Sequence, residues 1–126
     1  MHPNAELLRR FYNRDRSALF DNMHPSYQNH TPGNNPIAGS HAGPEGMLKH
    51  FEDHRFHSEG TFRAQHQGVF MADDVWGFVP VRLTAERKGK KLDMLAFGVW
   101  RFENGQFTDH WENPVDLKAF DEFWAD

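Results

Sequence analysis

The segment GQFTDHWENP, residues 105–114, places a carboxylate where a strand would bury its aromatic rings. Side chains alternate between the two faces of a strand, so Phe107, Asp109 and Trp111 are predicted to share one face and His110 to occupy the other. A carboxylate between buried rings is partly desolvated, which raises its pKa and suits it to donate or accept a proton. We therefore predict that Asp109 is a catalytic acid or base and that Trp111 lines a substrate pocket.

His30 is the second catalytic candidate, because it stands near the start of a Gly- and Pro-rich segment, residues 26–44. A neutral imidazole near pH 7 can exchange a proton with Asp109 or hydrogen-bond a substrate oxygen. The alternatives are structural. His30 would then bond a backbone carbonyl in the turn, and Asp109 would pair with Arg82, Arg101 or a helix terminus.

Aromatic side chains supply candidate pocket walls, since the chain contains 12 Phe, 4 Trp and 2 Tyr. Such rings can line an apolar cavity that holds one ligand. Beside Trp111, the predicted substrate-binding residues are Phe97, Tyr27, Tyr12 and Phe20. Packing in the core is the alternative for each ring taken singly.

Nine histidines raise the question of a metal site. His50, His54 and His57 recur at helical spacing, and HFEDH separates two of them as zinc-binding helices do, but no Glu directly follows His50. A catalytic zinc ion needs three ligands on a preorganised scaffold. We therefore predict a solvated helix face and no metal site, beyond incidental binding of nickel or zinc.

Composition narrows the classes of function. No Cys is present, which excludes disulfides and thiolate chemistry, and no glycine-rich phosphate loop is found. The net charge of −4, with acids and bases interspersed, argues against a nucleic-acid partner. No apolar run is long enough for a membrane span, so no membrane partner is expected. We expect one cytoplasmic domain, residues 1–126, that uses no cofactor.

Helices are predicted in the first half of the chain. Apolar residues at helical spacing predict one helix directly after Asn4, a second over residues 17–23 and a third over residues 45–57. Residues 26–44, rich in Gly, Pro and Asn, are predicted to form a loop. A short C-terminal helix is predicted over residues 115–126.

After Gly60 the pattern changes to the alternation typical of strands. Four strands are predicted, over residues 61–72, 75–87, 91–103 and 106–114. Helices followed by hairpins indicate an α+β fold, with the helices on one face of an antiparallel sheet. Because the third predicted strand is apolar on both faces, the second face is expected to pack against another copy in a homodimer, with His110 on that side.

Six segments stand in a characteristic order and spacing along the chain: NHTPGNNPIAG (29–39), GPEGMLKHF (43–51), GTFRAQ (60–65), VRLTAERKGKKLD (81–93), WRFENGQFTDHWENPVD (100–116) and DEFWA (121–125). Together they resemble the SnoaL-like branch of the nuclear-transport-factor-2-like, or ketosteroid-isomerase-like, superfamily. The resemblance implies a cystatin-like cone with three N-terminal helices on a strongly curved, antiparallel four-stranded sheet and a short C-terminal helix. In this branch an acidic residue commonly stands two before the Trp of the last strand, as Asp109 does, and a His two before Pro-Gly, as His30 does.

The resemblance implies a reaction on polar groups inside an apolar pocket, without metal or nucleotide. We predict a cofactor-independent proton-transfer enzyme, cyclase- or isomerase-like, that acts on a small hydrophobic oxygenated substrate such as a polyketide. One alternative is a non-catalytic module that binds a small molecule in the same pocket. A weaker alternative is activation of water as in epoxide hydrolases, which needs Asp93 or Arg101 to converge with Asp109.

Overall fold

The computed structural model describes residues 1–126. The helices are α1 (Pro3–Tyr12), α2 (Ser17–Phe20), α3 (Gly43–His57) and α4 (Leu117–Trp124). The strands are β1 (Met23–Thr31), β2 (Gly39–Ala42), β3 (Arg63–His66), β4 (Met71–Ala72), β5 (Trp76–Arg87), β6 (Lys90–Glu103) and β7 (Gln106–Pro114). None of the helices is both long and apolar enough to cross a membrane.

The strands form one mixed sheet in the order β2-β1-β7-β6-β5-β3, with β4 also paired to β5. β5, β6 and β7 form the antiparallel meander that the alternation predicted. β1 pairs in parallel with β7, and β2 turns back antiparallel on β1. The predicted α+β class, with three N-terminal helices and one C-terminal helix, is confirmed.

The prediction of a loop over residues 26–44 is wrong for much of that segment, which contains most of β1 and all of β2. The sheet therefore has seven strands instead of four. Tyr27, Asn29 and Thr31 alternate as buried side chains, but two of them are polar, so the sequence pattern did not indicate a strand. Pairing with β7, which is distant in sequence, makes this segment a strand despite its composition.

The helices cover one side of the sheet, called here the inner face, which carries Val79, Leu83 and Trp100, all buried. Trp100 is completely buried, and its ring lies edge-on to the ring of Phe11 from α1 at 5.4 Å. The opposite side, called the outer face, is not covered by a helix. It carries Trp76, which is 49% exposed, together with Phe78, Phe97 and Leu95.

A β-bulge in β7 reverses the alternation on which the site prediction depended. Phe102 pairs with Phe107 but Arg101 pairs with Asp109, so β7 holds one extra residue, Thr108, at this point. Such an extra residue shifts every later side chain to the other face. His110 therefore joins Phe107 on the inner face, and the prediction that Asp109 shares the face of Phe107 is wrong.

A buried arginine holds the C-terminal helix in place. Arg87 at the end of β5 donates hydrogen bonds to the carbonyl of His57 at 2.7 Å and to that of Ala125 at 2.7 Å. A guanidinium suits the partial negative charge at the end of a helix, and here it serves both α3 and α4. The contact keeps α4 beside α3, where the ring of Trp124 lies 5.5 Å from that of His54.

Candidate active site

A cavity of about 1040 Å³ lies between the inner face and α3. Ligand pockets commonly measure roughly 300–1,000 Å³, so this one has room for a molecule of several rings. Its apolar lining consists of Phe11, Tyr12, Met47, Leu48, Phe51, Phe62, Ala64, Val81, Leu83 and Ala96. The cavity is therefore suited to an aromatic or alicyclic ligand.

Three histidines and one glutamate on the inner wall of the same cavity are called here the histidine–glutamate cluster: His50, His54, His110 and Glu112. α3 supplies two histidines at i and i+4, and β7 supplies the other two residues at i and i+2, so each pair lies on one face of its element. His54 Nε2 lies 3.1 Å from Glu112 Oε2, and His50 Nε2 lies 4.0 Å from the same oxygen.

Hydrogen bonds from the other ring nitrogens hold the three imidazoles. His54 Nδ1 donates to the backbone carbonyl of His50 at 2.7 Å, and His110 Nδ1 donates to Asn29 Oδ1 at 2.6 Å. His50 Nδ1 lies 3.1 Å from the hydroxyl of Thr31. With the Asn29 amide oxygen facing the ring, the proton of neutral His110 lies on Nδ1, because a carbonyl oxygen only accepts, and Nε2 keeps a lone pair without a protein partner.

Burial and mutual contact set the ionisation of the cluster. Burial lowers the pKa of His110 to about 4, and burial next to the other imidazoles lowers the pKa of His50 well below its usual value. Burial opposes the charged form of His54 too, but the Glu112 carboxylate outweighs burial and raises the pKa of His54. Burial also disfavours the Glu112 carboxylate, yet His54 and His110 lower the pKa of Glu112. These opposite shifts favour a buried ion pair between His54 and Glu112 beside two neutral imidazoles.

Tyr12 adds a hydroxyl donor to the cavity wall. The indole Nε1 of Trp100 donates to the Tyr12 oxygen at 3.0 Å, so the Tyr12 proton is free to bond a ligand. Burial raises the pKa of Tyr12, which keeps this proton in place. Gly98 permits the approach, because a Cβ at that position would lie 2.3 Å from the Tyr12 hydroxyl.

Comparison with known proteins identifies the family. The SnoaL-like domain family matches residues 5–110. The chain belongs to this SnoaL-like family. Bal32a, from a soil-derived mobile gene cassette, is 37% identical with a TM-score of 0.83, over 97% of this chain and 96% of that one.

Two less similar structures share the fold of this SnoaL-like chain. A Xanthomonas campestris protein with a cystatin-like fold is 20% identical with a TM-score of 0.84, over 98% of each chain. TerC, co-crystallised with polyporic acid, is 21% identical with a TM-score of 0.74, over 96% of this chain and 97% of that one. No curated protein matches. The resemblance to the SnoaL-like branch and the cystatin-like α+β fold are both confirmed.

The predicted catalytic pair of this SnoaL-like protein lies outside the cavity. His30 Nε2 is 2.9 Å from Asp109 Oδ2, and His30 Nδ1 is 2.7 Å from the hydroxyl of Ser40. The ring of Trp111 stacks on that of His30 at 5.2 Å, on the outer face. The two residues do meet, as expected for a proton relay, but they do not reach the inner cavity, so their catalytic role stays a prediction.

Of the aromatic residues predicted to bind substrate, Tyr12 lines the cavity and the others do not. Phe97 stacks on Phe78 at 5.3 Å on the outer face. Tyr27 is completely buried in the core, and Phe20 packs against the core from α2. The prediction that Trp111 faces the cavity is wrong, because the bulge in β7 reverses the alternation of side chains. The other three rings pack in the core or on the outer face.

The convergence required for an epoxide hydrolase-like site does not occur in the cavity. Asp93 accepts two hydrogen bonds from Arg82, at 2.7 and 2.8 Å, in an exposed pair. Arg101 stands opposite Asp109 in the register of β6 and β7, and both lie on the outer face. None of these residues lines the cavity.

The prediction of a solvated histidine face on α3 is wrong for His50 and His54. His54 is 3% exposed, and the His50 side chain is 10% exposed. Simple alternation along the strand places Glu112 on the same face as His110, away from the predicted cavity. Two local signals existed, the i, i+4 spacing in HFEDH and the i, i+2 spacing in HWE, but no local pattern showed that the two would meet.

Proposed function

We propose that this SnoaL-like protein is an enzyme that moves a proton on a small, aromatic, oxygenated molecule held in the inner cavity. The observation that carries the proposal is the histidine–glutamate cluster. Its four side chains are ionisable and largely buried in the cavity wall, which costs stability, and buried ionisable groups that gather in a cavity are typical of functional sites.

His110 and Tyr12 supply the two groups that removal of a proton next to a carbonyl group needs, a base and a hydrogen-bond donor, and both line the cavity. The Nε2 lone pair of His110 is free, so it accepts the proton from carbon, while the Tyr12 hydroxyl donates to the carbonyl oxygen as negative charge develops. Both flank Trp100, whose ring lies 4.0 Å from that of His110 and 6.1 Å from that of Tyr12. A positioned general base contributes about 10²- to 10⁴-fold to a rate.

The cavity rim supports an acidic substrate. Arg14, Arg16 and Arg63 line the cavity, and none of them forms an ion pair within the chain, although the net charge is −4. The guanidinium of Arg16 lies 4.2 Å from the ring centre of Phe51 and so extends the aromatic wall with a cation. TerC, which shares the fold, was co-crystallised with polyporic acid, and this supports an aromatic acid or acidic enol as substrate class.

Deuterium exchange tests the proposal without knowledge of the natural substrate. Cyclic and aryl ketones with acidic substituents are first ranked by quenching of tryptophan fluorescence, and the ligands that bind are incubated with the protein in D₂O. We expect loss of the proton signal next to the carbonyl in ¹H NMR spectra. Substitution His110→Gln should slow the exchange on the order of a hundredfold, because it removes the base.

His30→Gln is the matched control, since His30 also pairs with a strand residue but lies on the outer face. Its exchange rate should equal that of the native protein. Ligands that bind tightly without any exchange would instead identify a binding module. If exchange continues in His110→Gln but is lost in His30→Gln, the active site lies on the outer face and the proposal is wrong.

A further inference from the structure

Three members of the histidine–glutamate cluster have the arrangement of a metal site. The donor atoms of His50, His54 and Glu112 lie within 4.8 Å of one another. Around a tetrahedral ion with bonds of about 2.1 Å, neighbouring donor atoms lie about 3.4 Å apart. The observed separations of 3.1 and 4.0 Å from Glu112 Oε2 bracket this value.

The hydrogen bonds of the two imidazoles leave Nε2 as the ligating atom in each. His54 Nδ1 donates to a backbone carbonyl at 2.7 Å, and the second histidine, His50, has its Nδ1 against the Thr31 hydroxyl. Metal-bound histidines almost always engage their other ring nitrogen in this way, which fixes the ring and the tautomer. Both Nε2 atoms are then directed at the Glu112 carboxylate.

Electrostatics requires a positive centre between His54 and Glu112. With its proton on Nδ1, the neutral ring of His54 would present a lone pair to a carboxylate oxygen at 3.1 Å. A proton on Nε2 removes this repulsion, and so does a cation bound by both atoms. The rings of Phe62, at 4.6 Å, and Trp124, at 5.5 Å, exclude water from one side of His54.

The scaffold is rigid and leaves one side open. Two ligands stand one turn apart on α3, and the third comes from a strand 58 residues away in sequence. All three line the cavity, so further coordination positions are available to a ligand. Three protein ligands and an open position are the pattern of catalytic zinc sites, and two His with one carboxylate also serve non-haem iron(II).

We propose that His50, His54 and Glu112 bind one divalent first-row transition ion, zinc or iron(II), at the inner wall of the cavity. Two imidazoles and a single carboxylate are poor ligands for Mg²⁺ and Ca²⁺, which prefer sets of oxygen ligands. His110 lies beside this site, with its ring 5.9 Å from that of His50, and is not needed as a ligand. The ion would polarise a substrate oxygen next to the base, but its binding is independent of the proposed function because it is measured without substrate.

Calorimetry on the full chain without an affinity tag, stripped with EDTA and desalted, tests the site with ZnCl₂ as the probe. We expect one Zn²⁺ per chain with a dissociation constant of micromolar or lower, and no comparable heat with MgCl₂. His54→Ala and Glu112→Gln should each weaken binding at least a hundredfold. His57→Ala is the matched control, since His57 stands on the same helix but does not line the cavity, and it should bind as the native chain does.

Co²⁺ provides a second readout that depends on ligand geometry. An intense visible absorption band, typical of low coordination numbers, is expected with the native chain and should be lost in His50→Gln, a variant chosen to keep a polar side chain near Thr31. Circular dichroism establishes that each variant is folded. Absence of one-to-one Zn²⁺ binding, binding that survives the double change His54→Ala and Glu112→Gln, or loss of binding in His57→Ala would each overturn the proposal.

Discussion

A histidine is paired with a carboxylate on each side of the sheet, at nearly the same distance. His54 and Glu112 lie 3.1 Å apart on the inner side, and His30 and Asp109 lie 2.9 Å apart on the outer side. The inner side chains are 4% and 9% exposed, whereas the outer ones are 22% and 24% exposed. The distance between partners is therefore similar in the two pairs, and the difference lies in their surroundings.

The surroundings differ in solvent and in neighbours. Water and salt screen a pair at the surface, so such a pair contributes little to stability or to chemistry. The inner pair has lost most of its water and depends on its protein partners, so a substrate, a proton or a cation entering the cavity interacts with it strongly. The same kind of substitution should therefore have a larger effect on the inner side of the sheet than on the outer side.

The largest difference in the free energy of unfolding is expected between substitutions of two tryptophans, one on each face. Trp100→Ala should lower the free energy of unfolding by about 3–5 kcal/mol, because the completely buried ring leaves a cavity in the core. Trp111→Ala removes a partly exposed ring that stacks on His30, and should cost roughly 1 kcal/mol. Urea unfolding followed by circular dichroism measures both. Equal losses would show that the outer face is as closed as the inner one.

Removing the charge of either carboxylate should give a smaller difference in stability, again with the larger cost on the inner side. Glu112→Gln leaves the buried His54 without its anion and should cost about 1–3 kcal/mol in the metal-free chain. Asp109→Asn breaks a solvated pair and should change the free energy of unfolding by less than about 1 kcal/mol. The same urea titration measures the pair of variants. A larger cost for Asp109→Asn would reverse the assignment of the two faces.

The smallest effect concerns the homodimer, which stays a prediction. If the outer face packs against a second copy, light scattering should give twice the chain mass of 14.7 kDa. Trp76→Glu places a charge on that face and should raise the dimer dissociation constant at least tenfold, about 1.4 kcal/mol. Phe56→Glu, on α3 and 68% exposed in the native chain, is the control and should leave the mass unchanged. A native chain that is monomeric at micromolar concentration would contradict the prediction.

The sequence predicted the elements whose signal is local. The meander of β5, β6 and β7 follows from alternation and turn residues, and α1 and α3 follow from helical spacing. β1 was missed because its buried positions include Asn29 and Thr31, and only pairing with β7 makes this segment a strand. The structure of such a segment depends on its partner strand and not on its own residue pattern.

The site was mislocated for a related reason. Simple alternation from Phe107 places Asp109 on the inner face, but the bulge at Thr108 shifts the alternation by one residue. His50 and His54 read as polar positions on a helix, because the carboxylate that meets them comes from β7. The residue types and spacings were visible, but the contacts between distant segments that give them a role were not.

The bulge at Thr108 makes the identity of the site depend on how β7 pairs with β6 as well as on its residues. If β7 paired residue for residue with β6 beyond Phe107, Asp109 and Trp111 would face the cavity and His110 and Glu112 would lie on the outer face. Deletion of Thr108, by contrast, would remove the extra residue and leave His110 and Glu112 on the inner face. The buried Thr108 hydroxyl, which has no hydrogen-bond partner, is a cost that the present register carries. Gain or loss of such a bulge is thus a route by which one sequence motif could exchange its chemistry within the same fold.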